Sequence, residues 1–378
     1  MAYLPFARPT IDAEAIAAVA QTLASGWLTR GPQVPAFEAA LSAYFGNRPV
    51  RTVTSATAAL EVALQLAGIG RGDEVITAAE SFFAAPNMIV KVGATPVFVD
   101  VDLSTRNMDL VAAEAAITPH TRALLPTHFG GLPMDMDALY ELAKRHRLRV
   151  VEDAALAIGS TWMGKRIGSF GDLATFSFHP NKNMTTIEGG CIVLNDAAEA
   201  KLVEKLRFHG IVYLPDGTRD VDFPGGKFNL SEVSACLGLA QLQRLPEFNA
   251  RRRALAAHYF HCFKTDPPCL LSAPAHGAET DGHSWNMFCV LLPLDRLRIT
   301  RKQFVAAMHE RGIGIGVSYE ALHLATLYRK LGYKEGDFPN TERIARETIT
   351  LPLFPTMSLD DVERVCRSVA EVLTETRI

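Results

Sequence analysis

A lysine in a polar turn directly follows a short apolar run in the segment FSFHPNKNMTTIEGG, residues 176–190. The first three residues alternate apolar and polar, as a strand does, and Pro180 ends the run because proline has no amide hydrogen to donate. Lys182 follows in the turn. A lysine in a turn is usually solvated, whereas a lysine that is held inward can form a Schiff base with a carbonyl group. Other segments of the chain are needed to distinguish between these two interpretations.

Two earlier segments also place polar side chains at the ends of apolar runs. In RTVTSATAALEVAL, Ser55, Ala56 and Thr57 lie between a predicted strand and a predicted helix. Free amides and small side chains at a helix start suit a phosphate, although capping by Ser55 or Thr57 explains the same residues. In LRVVEDAALAIGS, Glu152 and Asp153 end a buried-looking strand. A carboxylate there could face a bound ring, or it could cap the following segment.

The three segments together match what pyridoxal phosphate (PLP) requires of a protein. This cofactor needs an anion site for its phosphate, a carboxylate beside its ring nitrogen and a lysine for its aldehyde. Burial disfavours the ammonium form of a lysine and so favours the reactive amine. These parts occur in order near the ends of predicted strands: the turn 55–57, the acids Glu152 and Asp153, and the segment that contains Ser177 and Lys182. The sequence therefore predicts a PLP site, and no metal site.

The elements that must position these residues alternate between strands and helices over the first two thirds of the chain. Short apolar runs, with helix-like segments such as 56–67 and 136–146 between several of them, predict an α/β fold. Its sheet is expected to be mainly parallel and covered by helices on both faces. The runs are RTVTS, EVITAA, TPVFVDV, RALLPT, LRVVED, LATFSF and CIVL. Ligands of such sheets bind beyond the carboxyl ends of the strands.

The alternation stops near residue 245. Residues 231–245 and 247–262 are predicted to form two helices, followed by a strand in HSWNMFCVLLP, a helix in RKQFVAAMHERG and a strand in GIGIGVSY. An amphipathic helix ends the chain. These elements predict a smaller α+β domain. We therefore divide the chain into a large PLP-binding α/β domain, 1–245, and a small C-terminal domain, 246–378.

The composition is that of a cytoplasmic enzyme without affinity for nucleic acid or membranes. The 378 residues are 48% apolar and 21% charged, and a net charge of −3 creates no field that attracts polyanions. Neither a signal peptide nor a stretch of about twenty apolar residues is evident. Six cysteines without C-x-x-C spacing predict buried thiols in a reducing compartment. GIGIGV lacks the G-x-G-x-x-G spacing, which disfavours a nicotinamide-dependent dehydrogenase.

The sequence resembles the DegT/DnrJ/EryC1/StrS family of PLP-dependent nucleotide-sugar aminotransferases over nearly its whole length. The resemblance implies the aspartate aminotransferase type of fold, PLP fold type I. The T-T-x-E-G-G ending after the lysine is similar to the branch that aminates C4 of the sugar, including enzymes that make 4-amino-4-deoxy-L-arabinose nucleotides. The matching segments are SGWLTRGP (25–32), SATAAL (55–60), GDEVI (72–76), SFFAAPNMIVKVGATPVFVDVD (81–102), HFGGLPMDMDAL (128–139), VVEDAALAIGS (150–160), FSFHPNKNMTTIEGG (176–190), KFNLSEVSACLGLAQL (227–242), GDFPNTERIA (336–345) and LPLFP (351–355).

The resemblance implies roles for the residues around the cofactor ring. Lys182 corresponds to the lysine that binds the cofactor, and Asp153 corresponds to the acid that pairs with the ring nitrogen. Phe82 matches the aromatic residue that stacks on the ring, with Phe83 as the adjacent alternative. His179 is close to the lysine but is expected to pack within its turn.

The resemblance also implies roles at the phosphate and across a subunit interface. Ala56 and Thr57 correspond to the phosphate-binding turn, and Ser177 corresponds to a hydroxyl that contacts the same phosphate. Asn229 matches an asparagine that reaches the phosphate from the neighbouring subunit. A homodimer with shared active sites is therefore expected. Tyr319 and His323 resemble a segment near the sugar site, and they complete the set of candidate residues.

Three positions depart from the family pattern. Leu156 stands where the family often has glutamine or histidine near the phenolic oxygen of the cofactor, and leucine cannot donate a hydrogen bond. Ile187 occupies a position that is often glycine. Leu230 follows Asn229 where some relatives have a longer polar segment. The last two are expected to affect the substrate pocket.

The resemblance implies a ping-pong transamination. L-glutamate gives its amino group to the cofactor, and a keto nucleotide sugar, expected to be a 4-keto sugar, then receives it. Two alternatives use the same fold. One is a PLP-dependent sugar dehydratase, but such relatives carry histidine at the lysine position, so Lys182 argues against it. The other is a non-catalytic regulatory homologue.

Overall fold

The computed structural model describes residues 2–265 and 282–378, which contain thirteen strands and twelve α-helices. The strands are β1 (Val50–Val53), β2 (Glu74–Ala78), β3 (Thr95–Val99), β4 (Thr121–Leu125), β5 (Arg149–Asp153), β6 (Thr161–Trp162), β7 (Lys165–Arg166), β8 (Leu173–Ser177), β9 (Gly190–Val193), β10 (Ile211–Tyr213), β11 (Arg219–Val221), β12 (Phe288–Leu291) and β13 (Thr348–Leu351). The helices are α1 (Ala13–Ala24), α2 (Gln33–Tyr44), α3 (Ala56–Leu66), α4 (Ala84–Lys91), α5 (Leu110–Ala115), α6 (Met136–His146), α7 (Ala197–Leu206), α8 (Glu232–Thr265), α9 (Arg301–Glu310), α10 (Thr326–Arg329), α11 (Pro339–Glu347) and α12 (Leu359–Thr376).

A seven-stranded sheet forms the centre of the fold, in the order β1-β9-β8-β5-β4-β2-β3. The strands from β8 to β3 pair in parallel, and only β9 runs antiparallel to its neighbours β1 and β8. Each of the seven apolar runs predicted from the sequence forms one of these strands. The mainly parallel sheet of an α/β protein is therefore confirmed.

Both faces of this sheet are buried. Leu124 and Leu125 are consecutive on β4 and belong to separate apolar clusters, and so do Val150 and Val151 on β5. Successive side chains of a strand point to opposite faces, so the two clusters lie on opposite sides of the sheet. This double burial explains why these strands appear in the sequence as continuous apolar runs.

The prediction of two helices over 231–245 and 247–262 is wrong, because α8 runs without a break from Glu232 to Thr265 with Pro246 inside it. A proline removes one hydrogen bond from a helix. Here α8 packs against α1, α2 and α12, so contacts along its length hold it together. The boundary near residue 245 falls within this helix, and the division into two domains remains a proposal.

The C-terminal part has an apolar cluster of its own, which includes Leu255, Phe288, Ile349 and Val369. The helix predicted in RKQFVAAMHERG forms as α9, the predicted C-terminal helix forms as α12, and β12 pairs antiparallel with β13. These elements agree with the α+β pattern predicted from the sequence.

The strand predicted in GIGIGVSY does not form, apart from isolated bridges at Ile313 and Gly316. Glycines weaken a strand and often mark a close approach of two backbones. A Cβ atom on Gly314 would lie 2.7 Å from the backbone nitrogen of Phe6, and one on Gly316 would lie 2.7 Å from the ring of Phe6. The glycines therefore make room for the N-terminal segment.

Two further predictions concern the cysteines and membranes. Cys191, Cys236, Cys289 and Cys366 are buried, Cys262 is only partly buried, and Cys269 lies outside the described residues. Within the described part of the chain, no helix has the length and apolar character needed to cross a bilayer.

Candidate active site

A cavity of about 210 Å³ lies at the carboxyl ends of β5 and β8. Six of the seven residues predicted to contact the cofactor line it: Ala56, Thr57, Phe82, Asp153, Ser177 and Lys182. Asn229 does not. Residues that are far apart in the sequence meet here because parallel strands end at the same edge of the sheet.

The start of α3 forms one end of the cavity. Ser55 caps this helix by accepting a hydrogen bond from the amide of Ala58 at 3.1 Å. The amides of Ala56 and Thr57 lie in the first turn, where an α-helix offers no acceptor. A Cβ atom on Gly190 would lie only 2.6 Å from the Ala56 nitrogen, so glycine allows β9 to pass closely. The free amides and the positive end of the helix suit a phosphate group.

Asp153 ends β5 and is only 4% exposed. One of its carboxylate oxygens accepts the amide of Ala155 at 3.1 Å, and no other hydrogen bond to this carboxylate is found in the described chain. Burial raises the pKa of Asp153, opposed by the Ala155 amide and by the charges of Lys182 and His128. A cation placed beside the open oxygen would favour the ionised form.

Lys182 lies on the cavity wall, half-buried, in a turn closed by its amide and the carbonyl of His179 at 2.9 Å. Burial lowers its pKa from 10.5 to about 8, although the charge of Asp153 opposes this shift. A lysine with such a pKa exists partly as the neutral amine near physiological pH. The neutral amine is the form that attacks a carbonyl carbon.

Side-chain amides hold the turn on both sides of Lys182. The amide of Asn286 donates to the carbonyl of Asn181 at 3.2 Å and to the side-chain oxygen of Asn183 at 2.9 Å. The amide of Asn183 donates in turn to Asn249 of α8 at 2.7 Å. These bonds are buried or partly buried, so they restrict the directions in which the lysine can point.

Of the two adjacent phenylalanines, Phe82 lines the cavity and Phe83 does not. The Phe82 ring is 54% exposed, and its centroid lies 5.7 Å from that of Tyr319. Phe83 instead packs against a separate cluster that contains Phe98 and Tyr328. An exposed aromatic face on a cavity wall is available for stacking on a bound ring.

The C-terminal segment contributes Tyr319 to the cavity but not His323. Burial raises the pKa of the Tyr319 hydroxyl, which therefore keeps its proton. His323 is fully buried and contacts Glu342 at 3.0 Å. His179 also lines the cavity, and its ring nitrogen lies 2.8 Å from the Asn181 side chain within the same turn.

A buried carboxyl anchors Tyr319 from the sheet side. Glu80 is completely buried and accepts the amide of Tyr319 at 3.3 Å, while its second oxygen has no partner in the described part of the chain. Burial raises the pKa of Glu80 to about 8, and the nearby charge of Arg106 opposes the rise. Sequence reasoning missed Glu80, because a glutamate after an apolar run is usually exposed.

Asn229 lines a different cavity, of about 720 Å³, whose walls include Arg30, Arg51 and Arg207. Its side chain contacts Lys227 and Thr29. Leu230 is buried in the core, whereas Ile187 is 55% exposed at a positive φ of 72°. A positive φ favours glycine, which agrees with the departure noted at this position.

The profile of the DegT/DnrJ/EryC1/StrS aminotransferase family matches residues 9–370. The chain belongs to this family. It is 40% identical over 381 residues to the spore coat polysaccharide biosynthesis protein SpsC of Bacillus subtilis (strain 168), covering 98% of this chain and 97% of SpsC.

Solved structures of relatives share the whole fold. Spr1654 from Streptococcus pneumoniae, in its PMP-form, matches with a TM-score of 0.92 and 32% identity over 99% of this chain and 98% of that one. A PLP-form of the same protein matches with a TM-score of 0.91. PseC from Helicobacter pylori, an aminotransferase involved in the biosynthesis of pseudoaminic acid, matches with a TM-score of 0.92 and 29% identity over 99% of this chain and 100% of PseC. The chain is thus a PLP-dependent sugar aminotransferase with the fold of this family.

The cavity of this aminotransferase fits PLP. The start of α3 offers amides to a phosphate, Asp153 has an open carboxylate oxygen, Lys182 has a lowered pKa, and Phe82 presents an exposed ring. These groups supply the phosphate site, the carboxylate for the ring nitrogen and the amine for the aldehyde that this cofactor requires.

Sequence reasoning missed two further residues on the wall of the aminotransferase cavity, Thr127 and Glu188. Thr127 ends the run RALLPT, one strand away from Asp153, and its place at a carboxyl strand end was the signal that could have identified it. Glu188 follows the lysine turn in T-T-I-E-G-G and lies where that turn meets the cavity.

Proposed function

We propose that this chain transfers an amino group from L-glutamate to a 4-keto nucleotide sugar by a ping-pong reaction. One observation carries the proposal: Lys182, with a pKa lowered to about 8, and the open carboxylate of Asp153 line one cavity that ends at the start of α3. PLP, when bound there, accepts an amino group from one substrate and passes it to the next.

Five residues of the cavity then have roles that agree with their positions. Ala56 and Thr57 hold the phosphate and fix one end of the cofactor. Asp153 keeps the ring nitrogen protonated, which stabilises negative charge that develops in the ring. Lys182 would hold the cofactor, and its amine would serve as the general base and acid that moves the proton of the substrate carbon. Phe82 covers one face of the ring.

The choice of a sugar substrate is supported by the relatives and by the rim of the cavity. SpsC is a spore coat polysaccharide biosynthesis protein, and PseC is an aminotransferase involved in the biosynthesis of pseudoaminic acid. Polar groups surround Lys182, including His179, Asn181, Glu188 and Tyr319. Such groups can bind the hydroxyls of a sugar. The 4-keto assignment rests on the resemblance of the lysine segment to one branch of the family, and the glutamate donor rests on the resemblance to the family as a whole.

The proposal is tested with a panel of 4-keto and 3-keto nucleotide sugars, each offered with L-glutamate and scored by product mass. A 4-amino sugar and an equal amount of 2-oxoglutarate are expected. Preference for 3-keto substrates would overturn the 4-keto assignment, and a deoxygenated product would indicate a dehydratase. A protein that holds PLP but does not convert glutamate would support the regulatory alternative.

We also propose a homodimer in which Asn229 of each chain serves the partner's cavity. Asn229 does not reach the Lys182 cavity of its own chain, and the 720 Å³ cavity that it lines carries several arginines. Exposed apolar side chains, including Trp27, Leu28 and Ile187, are 46–60% exposed in the single chain. Their burial between two copies would remove apolar surface from water.

Mixing two inactive variants tests the shared site. Lys182→Ala lacks the lysine, and Asn229→Asp places a negative charge beside the partner's phosphate, so each homodimer is expected to have little activity. In a mixed dimer, one site combines Lys182 of one chain with Asn229 of the other. Random mixing should therefore recover about a quarter of wild-type activity. No recovery in verified mixed dimers would show that Asn229 acts within its own chain, and an active Asn229→Asp homodimer would show that it has no role in the site.

A further inference from the structure

Thr127 places an unpaired hydroxyl in the wall of the cavity. The residue follows β4, is only 4% exposed, and forms a parallel bridge with Asp153. Its Oγ1 atom is buried and has no hydrogen-bond partner within the described chain. A buried hydroxyl without a partner is unfavourable, so a group that enters the cavity is expected to bind it.

The order of the strands indicates which part of PLP lies beside Thr127. The phosphate contacts, Ala56 after β1 and Ser177 at the end of β8, lie on one side of Asp153, because the sheet runs β1-β9-β8-β5-β4. Thr127 follows β4 and lies on the other side. In the PLP ring, the phenolic oxygen and the methyl group are opposite the phosphate arm. Thr127 is therefore on the side of the phenolic oxygen.

Among the described residues, Tyr319 also has a hydroxyl on that side, but this hydroxyl is directed to the sulfur of Met287 at 3.9 Å. Leu156, at the position where the family often has glutamine or histidine, packs with Phe129, Met287 and Cys289 in an apolar cluster. A phenolic oxygen that carries negative charge needs a donor in such surroundings. A threonine hydroxyl can supply one proton to it.

We propose that the Thr127 hydroxyl donates a hydrogen bond to the phenolic oxygen of PLP and so replaces the donor that Leu156 cannot provide. The inference rests on the cofactor position proposed above. The bond draws negative charge away from the phenolic oxygen. The lysine nitrogen next to that oxygen then holds its proton less tightly, because a neighbouring negative charge favours the protonated form.

The test compares Thr127→Val, which has the same shape without the hydroxyl, with Thr127→Ser, which keeps the hydroxyl. Thr77→Val is the matched control: Thr77 is also buried, on β2, but its hydroxyl donates to the carbonyl of Leu125 at 2.8 Å and does not line the cavity. Two quantities are measured for each protein. They are the affinity for PLP and the pH midpoint at which the absorbance of the bound cofactor changes.

Thr127→Val is expected to bind PLP about three- to tenfold more weakly, the effect of one lost hydrogen bond. Its absorbance midpoint should rise by roughly half a unit to one unit. Thr127→Ser should restore both values, and Thr77→Val should change neither. The cavity also contains Asp153, His179, Lys182, Glu188 and Tyr319, all titratable, so midpoints are compared with that of the wild type.

Two results would overturn the inference: a Thr127→Val protein with the affinity and midpoint of the wild type, or equal changes in Thr77→Val. Failure of the cofactor position itself is distinguishable. In that case the wild-type protein would bind PLP without the absorbance change, or Lys182→Ala would retain it.

Discussion

Replacing Lys182 by alanine is expected to abolish amino transfer and the covalent attachment of PLP. Lys182 is proposed both as the nucleophile that holds PLP and as the base. Among the described residues that line the cavity, it is the only one with a side-chain amine, so no neighbour there can replace it as that nucleophile. Loss of a residue with both roles lowers turnover by roughly 10³-fold or more. The measurements are the rate of 2-oxoglutarate formation and the absorbance of the bound cofactor.

The pH dependence of cofactor uptake gives a second measure of the same residue. Only the neutral amine of Lys182 attacks an aldehyde, and burial lowers the pKa of this amine to about 8. The rate at which wild-type apoprotein takes up PLP should therefore rise with pH and level off above about 8. With an exposed lysine, the uptake rate would continue to rise up to the ordinary lysine pKa of 10.5.

Lys201→Ala is the matched control, because Lys201 is an exposed lysine on α7, away from the cavity. This variant should keep wild-type turnover, absorbance and uptake profile. A Lys182→Ala protein that turns over normally would remove the basis of the proposed mechanism. Equal losses in both variants would point to damage of the fold instead.

The sequence predicted the parts of the site that depend on strand ends. Asp153 and Ser177 are the last residues of β5 and β8, and Lys182 lies in the turn that follows β8. An apolar run that stops at a polar residue marks such an end, and parallel strands bring their ends to one edge. The order of the runs along the chain was therefore enough to predict that these residues meet.

The parts that sequence reasoning missed depend on tertiary contacts. Glu80 is completely buried, although it is a glutamate. It accepts a hydrogen bond from the amide of Tyr319, a residue 239 positions away in the sequence. The place of Thr127 at a strand end is visible in the sequence, but its burial without a hydrogen-bond partner in the described chain is not. Local residue types do not report either property, because burial is decided by elements elsewhere in the chain.

The unbroken helix α8 illustrates the same limit. Two helices were predicted on either side of residue 246, a proline, and a proline removes a hydrogen bond and clashes with the preceding turn. Packing against α1, α2 and α12 outweighs this local penalty. Intrinsic preference is a weak guide wherever tertiary contacts of this extent are present.

Asp153→Asn is expected to keep the fold and to lower the rate of amino transfer by roughly 10²–10³-fold, the usual loss when one electrostatic partner of a reacting group is removed. Asparagine has the same shape but no negative charge. The ring nitrogen of PLP then loses the partner that holds its proton, and negative charge in the ring is less stabilised. Single-turnover rates with L-glutamate measure this step directly.

Glu152→Gln separates this effect from general damage to β5. Glu152 is the neighbouring carboxyl and is also fully buried, but it binds His128 at 2.9 Å and Tyr140 at 2.5 Å and does not line the cavity. Consecutive side chains of a strand point to opposite faces, so the Glu152 carboxylate points away from the cavity. Its replacement should lower stability while the single-turnover rate is retained. If Asp153→Asn kept the wild-type rate, the carboxylate would not act on the ring nitrogen. If Glu152→Gln lost as much rate as Asp153→Asn, the loss would come from the strand and not from the charge at its end.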